Sequence, residues 1–177
     1  QILRAQKDLG EKISNVVIMG IGEPFDNYDN IIKFLKNIND ESGMNMGYRH
    51  ITLSTCGLAD RIRDFADEEI PINLAISLHA PTDEVRKGLM PVAKAYSLEK
   101  LMSACDYYFE KTHRRITFEY ALVKGQNASF GEAKRLAELL RGKNCHVNLI
   151  PVNPVTERNH IRTNEKETRD FQMALES

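Results

Sequence analysis

The most informative stretch of this chain is Val16-Val17-Ile18-Met19-Gly20-Ile21-Gly22-Glu23-Pro24. Its first four residues are apolar, have the length of a strand and include β-branched side chains. Gly20 and Gly22 then allow a sharp turn, and Glu23 places a carboxylate directly after it. In parallel α/β folds, ligands bind at the carboxyl ends of strands, where a carboxylate suits a cationic group such as an amine. The alternative is an ordinary turn between a strand and a helix, in which Pro24 shapes the start of the helix.

Three later segments repeat this pattern. Each is apolar, ends in a small polar residue and continues into a residue that breaks regular structure. They are His50-Ile51-Thr52-Leu53-Ser54-Thr55-Cys56-Gly57, Asn73-Leu74-Ala75-Ile76-Ser77-Leu78-His79-Ala80-Pro81 and Asn148-Leu149-Ile150-Pro151-Val152-Asn153-Pro154. One buried strand with a polar stop would look the same, but four in order are more specific. They indicate several strands with polar side chains at a common rim.

Strand-like and helix-like segments alternate along the whole chain. The strands are expected near Val16–Met19, His50–Thr55, Asn73–Ser77, Arg115–Tyr120 and His146–Ile150, with helical apolar periodicity between them. Alternation with long crossovers predicts a parallel α/β sheet, and 177 residues suffice for one domain with a core. Asn164 and Glu167 have the spacing of a capping box at the start of a last helix. The segment Ala80–Leu89 has the composition of a loop near the rim.

These segments together resemble the RlmN/Cfr-type radical S-adenosylmethionine (SAM) RNA methyltransferases, most closely the RlmN branch. The resemblance runs from about Asn15 to the end of the chain. It is carried by Ile18-Met19-Gly20-Ile21-Gly22-Glu23-Pro24, Ser77-Leu78-His79-Ala80-Pro81 and Leu149-Ile150-Pro151-Val152-Asn153-Pro154. It implies a parallel, partial (β/α)6 barrel of the radical SAM type. Because five strands are visible where the family has six, we expect residues 1–177 to be one domain that lacks the first strand, a fragment of the radical SAM core.

The resemblance also implies a function and a set of site residues. The family methylates C2 of an adenosine in 23S rRNA, and in some bacteria of tRNA, with SAM and a [4Fe-4S] cluster as cofactors. The residues implied to bind SAM are Gly22, Glu23, Ser54, Ser77, Leu78, His79 and Asn153. Among them, Glu23 would receive the amino group of the methionine moiety. Asn153 offers a donor and an acceptor to an adenine or ribose edge. A rival role for His79 is to cap the turn that follows it.

No catalytic residue and no cluster ligand is expected within this chain. The family's cluster loop has the spacing Cys-x3-Cys-x2-Cys, whereas Cys56, Cys105 and Cys145 lie far apart. Their odd number and wide spacing also argue against a disulfide framework and a zinc site. The family's methylated cysteine and its acidic residue in an N-terminal domain fall outside the span of the resemblance. We therefore expect the chain alone to be inactive.

Composition neither points to RNA nor argues for a membrane protein. The chain is 42% hydrophobic and 28% charged, and its net charge of −1 gives no electrostatic footprint for nucleic acid. No apolar run has membrane-spanning length, and no signal peptide opens the sequence, so we expect a cytoplasmic location. RNA and a reductant protein as partners therefore rest on the resemblance. The open edge expected at Val16–Met19 predicts self-association through strand pairing.

Two other classes of function stay open at this stage. One is a radical SAM enzyme that acts on a small molecule, which would share the glycine-glutamate feature but not the two later segments together. The other is a non-catalytic α/β binding module. The flanking sequence would separate them, since a cysteine loop upstream and a cysteine downstream are expected only for the methyltransferase.

Overall fold

Five parallel strands form one sheet, in which the strands lie side by side in the order of the chain. A computed structural model describes residues 1–153 and 160–177. The strands are β1 (Val16–Ile18), β2 (Ile51–Thr55), β3 (Asn73–Ser77), β4 (Ile116–Leu122) and β5 (Cys145–Pro151). Crossovers between parallel strands are right-handed, so a sheet whose strand order never reverses carries its helices on one face. The predicted parallel α/β sheet is confirmed.

Seven helices accompany the sheet in the part of the chain that the structure describes. They are α1 (Ile2–Leu9), α2 (Tyr28–Asn39), α3 (Ala59–Asp67), α4 (Asp83–Leu89), α5 (Leu98–Thr112), α6 (Phe130–Leu140) and α7 (Glu165–Glu176). Short 3-10 turns cover Pro24–Asn27, Tyr48–His50 and Pro91–Lys94. The capping box predicted for α7 is confirmed: Asn164 Oδ1 accepts from the Glu167 N–H at 2.8 Å, and Glu167 Oε2 accepts from the Asn164 N–H at 2.8 Å.

Among the predictions that differ from the structure, one expected loop is a helix, and strands β1 and β4 end at other residues. Helix α4 lies where the sequence indicated a loop, because its seven residues include Gly88 and are too few to show an apolar stripe. The start of α4 nonetheless carries an N-cap residue, Thr82, whose hydroxyl accepts a hydrogen bond from the Val85 N–H. Strand β1 ends at Ile18, one residue before the predicted end, and β4 continues to Leu122, two residues beyond it.

Alternation along the strands separates a core face from a second face. Phe118, Tyr120 and Leu122 of β4 are buried, and they belong to the core that the sheet forms with the helices. The alternate residues project from the opposite face of the sheet, which we call the inner face. Because residues paired across parallel strands share a face, Ser77 and Glu119 both lie on it. One set of alternate residues in each strand therefore packs into the core, and the other set, on the inner face, can be polar.

Strand β1 lies at one edge of the sheet. It pairs with β2, and within residues 1–153 and 160–177 no strand covers its other side. Val17 at this edge is 58% exposed, and Met19 and Ile21 after it are also exposed. None of the described helices is both long enough and apolar enough to cross a membrane.

Candidate ligand-binding site at the carboxyl edge of the sheet

The predicted site residues gather at the carboxyl edge of the sheet, because all five strands run in the same direction. Ser54 lies near the end of β2, and Ser77 is the last residue of β3. The others follow the ends of strands: Gly22 and Glu23 after β1, Leu78 and His79 after β3, and Asn153 after β5. The expectation that Glu23, Ser54, Ser77 and Asn153 share one rim is confirmed.

Glu23 connects the turn after β1 to the turn after β2. Gly22 precedes it with φ +104°, a backbone conformation that favours glycine. The Glu23 carboxylate accepts from the Phe25 N–H at 3.1 Å through Oε1, and from the Cys56 N–H at 2.7 Å through Oε2. A carboxylate has about four acceptor positions, so Glu23 keeps capacity for a cationic ligand group.

Cys56 is an unreactive thiol at this rim. Burial, and to a smaller extent the neighbouring Glu23 carboxylate, raise its pKa to about 12. The thiol is therefore protonated at neutral pH, and the thiol is a poor nucleophile. Cys105, buried on α5, also has a pKa raised to about 12 by burial, as suits a small apolar side chain.

A row of polar side chains crosses the inner face beside Ser77. In the strand register Ser77 pairs with Glu119, and Glu119 pairs with Asn148. The Asn148 amide donates through Nδ2 to Glu119 Oε2 at 2.7 Å. Hydroxyl, carboxylate and amide therefore lie on three neighbouring strands. Sequence analysis missed Glu119 and Asn148, although each occupies the polar phase of an otherwise apolar strand.

Leu78 contributes to the site through its backbone alone. Its side chain is fully buried in the core. Its N–H donates to the Glu119 carbonyl at 3.0 Å, and its own carbonyl accepts from Arg86 Nε at 3.1 Å. A ligand can therefore use only the second lone pair of the Leu78 carbonyl.

His79 is fixed in a left-handed backbone conformation, with φ +58°. Its N–H donates to the Glu119 carbonyl at 3.3 Å, and its carbonyl accepts from Asn127 Nδ2 at 2.7 Å. Its ring Nδ1 accepts from the Ala121 N–H at 3.0 Å, so the ring bonds to β4 and does not cap the turn that follows. Strained backbone of this kind persists where several contacts over-determine it.

The His79 ring is a neutral hydrogen-bond donor. Burial lowers its pKa to about 4, and the positive charge of Arg86 acts in the same direction. Because Nδ1 accepts a hydrogen bond, the single proton of the neutral ring lies on Nε2. At neutral pH, His79 can donate one hydrogen bond through Nε2 and brings no charge.

Asn153 is exposed, as is Gly22, whereas the other candidates are buried or half-buried. It follows the end of β5, and its Oδ1 accepts from Arg162 Nη1 at 3.2 Å. Its amide N–H groups are not used by this contact, which leaves donors for a ligand. Pro154, which completes the quoted segment, lies outside the described residues.

The residues present do not fit a [4Fe-4S] cluster. Cys56 lies at the rim, Cys105 lies within α5, and Cys145 begins β5 at the opposite end of the sheet. Across residues 1–153 and 160–177, no three His, Cys, Asp or Glu residues are grouped closely enough to hold a metal ion. The chain therefore offers carboxylate, hydroxyl, amide and imidazole groups to a ligand at the rim, but no set of thiolates.

A large cleft of about 1060 Å³ lies elsewhere, along the open edge of β1. It is lined by residues of α1, β1 and α2, and it meets the candidate site only at Gly22 and Glu23. Large apolar clefts are the usual first choice for a ligand site. Here one wall is the unpaired edge of β1, whose backbone groups can pair with another strand, whereas the candidate polar side chains gather at the rim.

Comparison with known proteins identifies the family. The model of the radical SAM superfamily matches residues 1–140, which is most of the chain. This chain belongs to the radical SAM superfamily. The assignment agrees with the parallel sheet, the unreversed strand order and the polar rim.

Within this superfamily, the chain is similar to proteins named RlmN. It is 56% identical over 175 residues to the probable dual-specificity RNA methyltransferase RlmN of Clostridium novyi (strain NT), covering 99% of this chain and 51% of that protein. It is 58% identical over 175 residues to the protein of the same name from Alkaliphilus oremlandii (strain OhILAs), with the same coverage of 99% and 51%. The chain thus spans about half the length of the curated relatives it matches.

Solved structures agree with the radical SAM fold. A radical SAM methyltransferase from Sphaerobacter thermophilus superposes with a TM-score of 0.92 at 42% identity, covering 98% of this chain and 51% of that one. A domain of pyruvate-formate lyase-activating enzyme from Bacteroides vulgatus ATCC 8482 has a TM-score of 0.67 at 19% identity, with coverage of 93% and 94%. The second likeness shows the fold alone.

Proposed function

We propose that this chain is the SAM-binding part of a longer RlmN-type enzyme that methylates C2 of an adenosine in 23S rRNA and in tRNA. The observation that carries the proposal is the identity of 54–58% to RNA methyltransferases named RlmN, which extends over nearly the whole chain. The target adenosine must leave its base stack to reach the open rim, as in other base-modifying enzymes.

The rim residues fit the chemical groups of SAM. Glu23 would bind the methionine ammonium, since its carboxylate keeps free acceptor positions beside the backbone of Gly22. The hydroxyls of Ser54 and Ser77 would bind the ribose or the methionine carboxylate. Asn153 would bind the adenine or ribose edge through its amide N–H groups. These residues bind and orient SAM, and orientation governs which bond reacts.

The neighbours of Ser77 take supporting roles in this proposal. Leu78 presents its carbonyl, and His79 donates from Nε2 without adding a charge beside the positive sulfonium. When bound, SAM together with a [4Fe-4S] cluster supplies the radical chemistry and the methyl group. The cluster ligands and the methyl-carrying cysteine belong, in this proposal, to the part of the enzyme outside this chain. Such an enzyme acts in the cytoplasm and needs a reductant protein for its cluster.

The experiment is a complementation in a bacterial host that lacks its own adenine-C2 methyltransferase. The longer protein is expressed there, and 2-methyladenosine in 23S rRNA and in tRNA is measured separately by mass spectrometry. We expect the modified nucleoside in both RNAs, and none when Glu23 is replaced by alanine. Absence of the product from both RNAs, with the protein folded and its cluster loaded, would contradict the proposal.

A further inference from the structure

Arg86 is the largest fully buried side chain that sequence analysis did not connect with the site. It lies on α4 and exposes 0% of its surface. In the described part of the chain, its side chain makes three hydrogen bonds, all to neutral backbone carbonyls: Nε donates to Leu78 at 3.1 Å, and Nη2 donates to Cys56 at 2.9 Å and to Ser77 at 3.2 Å. Within residues 1–153 and 160–177, its Nη1 has no hydrogen-bond partner.

A guanidinium in this position is costly for a purely structural role. Removing a cation from water carries a large desolvation penalty, which neutral carbonyls offset only in part. An apolar side chain of similar volume would fill the same space without that penalty. The specific property that Arg86 adds is a rigid fork of N–H donors that holds several carbonyls at once.

The three carbonyls belong to the ends of two different strands. Cys56 follows β2, whereas Ser77 and Leu78 form the end of β3 and the residue after it. The same Cys56 whose carbonyl binds Arg86 donates its N–H to Glu23 Oε2 at 2.7 Å. Arg86 is therefore linked on one side, through Cys56, to Glu23, and on the other side directly to Ser77 and Leu78.

The turn after β2 is shaped for close approach to this guanidinium. Gly57 has φ +99°, and a Cβ at that position would lie 3.1 Å from Arg86 Nη2 and 3.2 Å from the methyl carbons of Leu101. A side chain there would push against Arg86 from one side and α5 from the other. The glycine thus permits the contact between the Cys56 carbonyl and the guanidinium.

We propose that Arg86 is a positioning residue of the SAM site, whose guanidinium fixes the turns after β2 and β3 so that Glu23, Ser77 and Leu78 face one ligand together. The inference rests on the proposed function, because it takes SAM as that ligand. Arg86 touches no reacting atom in this scheme. It acts through backbone carbonyls and holds the rim in the geometry that binding requires.

The test compares three variants of the longer enzyme. Arg86→Met keeps much of the volume and removes every donor, and Arg86→Lys keeps the cation but replaces the fork with one ammonium. Tyr108→Phe is the matched control, because the buried Tyr108 hydroxyl donates to the carbonyls of Ile70 and Ile72, which precede the other end of β3. SAM affinity is measured by calorimetry and the thermal midpoint by differential scanning.

We expect Arg86→Met to weaken SAM binding by about tenfold or more, and Arg86→Lys to recover part of the loss. Tyr108→Phe should lower the thermal midpoint and leave SAM affinity within about twofold of wild type. Nuclear magnetic resonance of the His79 ring supplies a second reporter, which is compared between Arg86→Met and Tyr108→Phe. Burial lowers the pKa of His79 most and the Arg86 charge lowers it further, so this pKa should rise in Arg86→Met and stay near the wild-type value in Tyr108→Phe.

The outcomes distinguish failure of the proposed function from failure of the role proposed for Arg86. A wild-type enzyme that does not bind SAM would overturn the proposed function, and this inference with it. If wild type binds SAM and Arg86→Met binds it equally well, only the inference fails. It also fails if Tyr108→Phe weakens SAM binding as much as Arg86→Met does at a similar loss of thermal midpoint. Should Arg86→Met not fold, Arg86→Lys decides: affinity equal to wild type would overturn the inference.

Discussion

At the scale of single residues, the rim is held by hydrogen bonds between side chains and the backbone of other elements. Glu23 binds the N–H of Cys56, Asn127 binds the carbonyl of His79, and His79 binds the N–H of Ala121. Each of these bonds joins segments that are distant in the chain. Glu23 and His79 therefore each have a structural contact as well as a proposed ligand contact, and substitutions must separate the two roles.

Glu23→Gln should separate the effect of the Glu23 charge on SAM binding from the effect of its hydrogen bonds on the fold. Glutamine keeps one acceptor for a backbone N–H but loses the charge, so SAM affinity should fall by about 10- to 100-fold. Glu23→Ala loses both acceptors and should also destabilise the fold by about 1–3 kcal/mol, as buried N–H groups lose partners. Calorimetry with SAM and urea unfolding measure the two effects. Equal affinity of Glu23→Gln and wild type would exclude the proposed ammonium contact.

Asn153→Ala is expected to affect binding alone. Asn153 is exposed, and the one side-chain hydrogen bond that it makes in the described part of the chain is with Arg162, so stability should change by less than about 0.5 kcal/mol. SAM affinity should still fall by about tenfold if the amide binds the nucleoside. The same two measurements apply. Unchanged affinity would remove Asn153 from the site.

His79 should make stability depend on pH. Its folded pKa of about 4 lies below the ordinary value of 6.5, so between these two values the unfolded chain binds a proton that the folded protein does not. Stability from this group is therefore present above pH 6.5 and decreases by up to about 3 kcal/mol as the pH falls toward 4.

Urea unfolding at several pH values, with His79→Asn as the comparison, measures this effect. Asparagine tolerates positive φ and still offers an oxygen to the Ala121 N–H. The variant should show a flatter pH dependence than wild type over this interval. Parallel curves for the two proteins would exclude His79 as the source.

At the scale of elements, most strands and helices could be predicted from the sequence, whereas contacts between residues far apart in the chain could not. The segments of β1, β2, β3 and β5 are apolar and are followed by residues that break regular structure, so the shared rim could be predicted from the sequence. Glu119 and Asn148 required knowledge of strand register, because only pairing places them beside Ser77. Arg86 was not predictable, since its carbonyl partners Cys56 and Ser77 lie in other segments and an arginine on a short polar helix is typical of a solvated face.

Helix α7 offers a test of an element whose start was predicted correctly. Replacing Asn164 with alanine removes one of the two reciprocal bonds of the capping box and should destabilise the protein by about 1 kcal/mol. The exposed Lys166, two positions further along, is the control, and Lys166→Ala should stay within about 0.5 kcal/mol of wild type. Urea unfolding measures both. An Asn164→Ala variant as stable as the control would show that the cap adds nothing here.

At the scale of the whole molecule, the open edge of β1 predicts how this chain behaves in isolation. Its backbone groups can pair with a strand of another molecule, so the chain should self-associate as its concentration rises. Val17→Lys places a charge on this edge and should shift the chain toward monomer. The control is Phe130→Lys, which changes an apolar side chain that is 68% exposed on α6. Light scattering measures mass, and a monomeric wild type at high concentration would contradict the prediction.

The strand order has a consequence for how the chain folds as it leaves the ribosome. Each strand pairs with the one made just before it: Val16 of β1 with Ile51 of β2, and so on to Ile116 of β4 with Cys145 of β5. No described strand pairs with a strand from the far end of the chain, so each loop that closes spans only neighbouring strand–helix units. Assembly can therefore proceed vectorially from the N-terminal side, with each completed strand serving as the template for the next during synthesis.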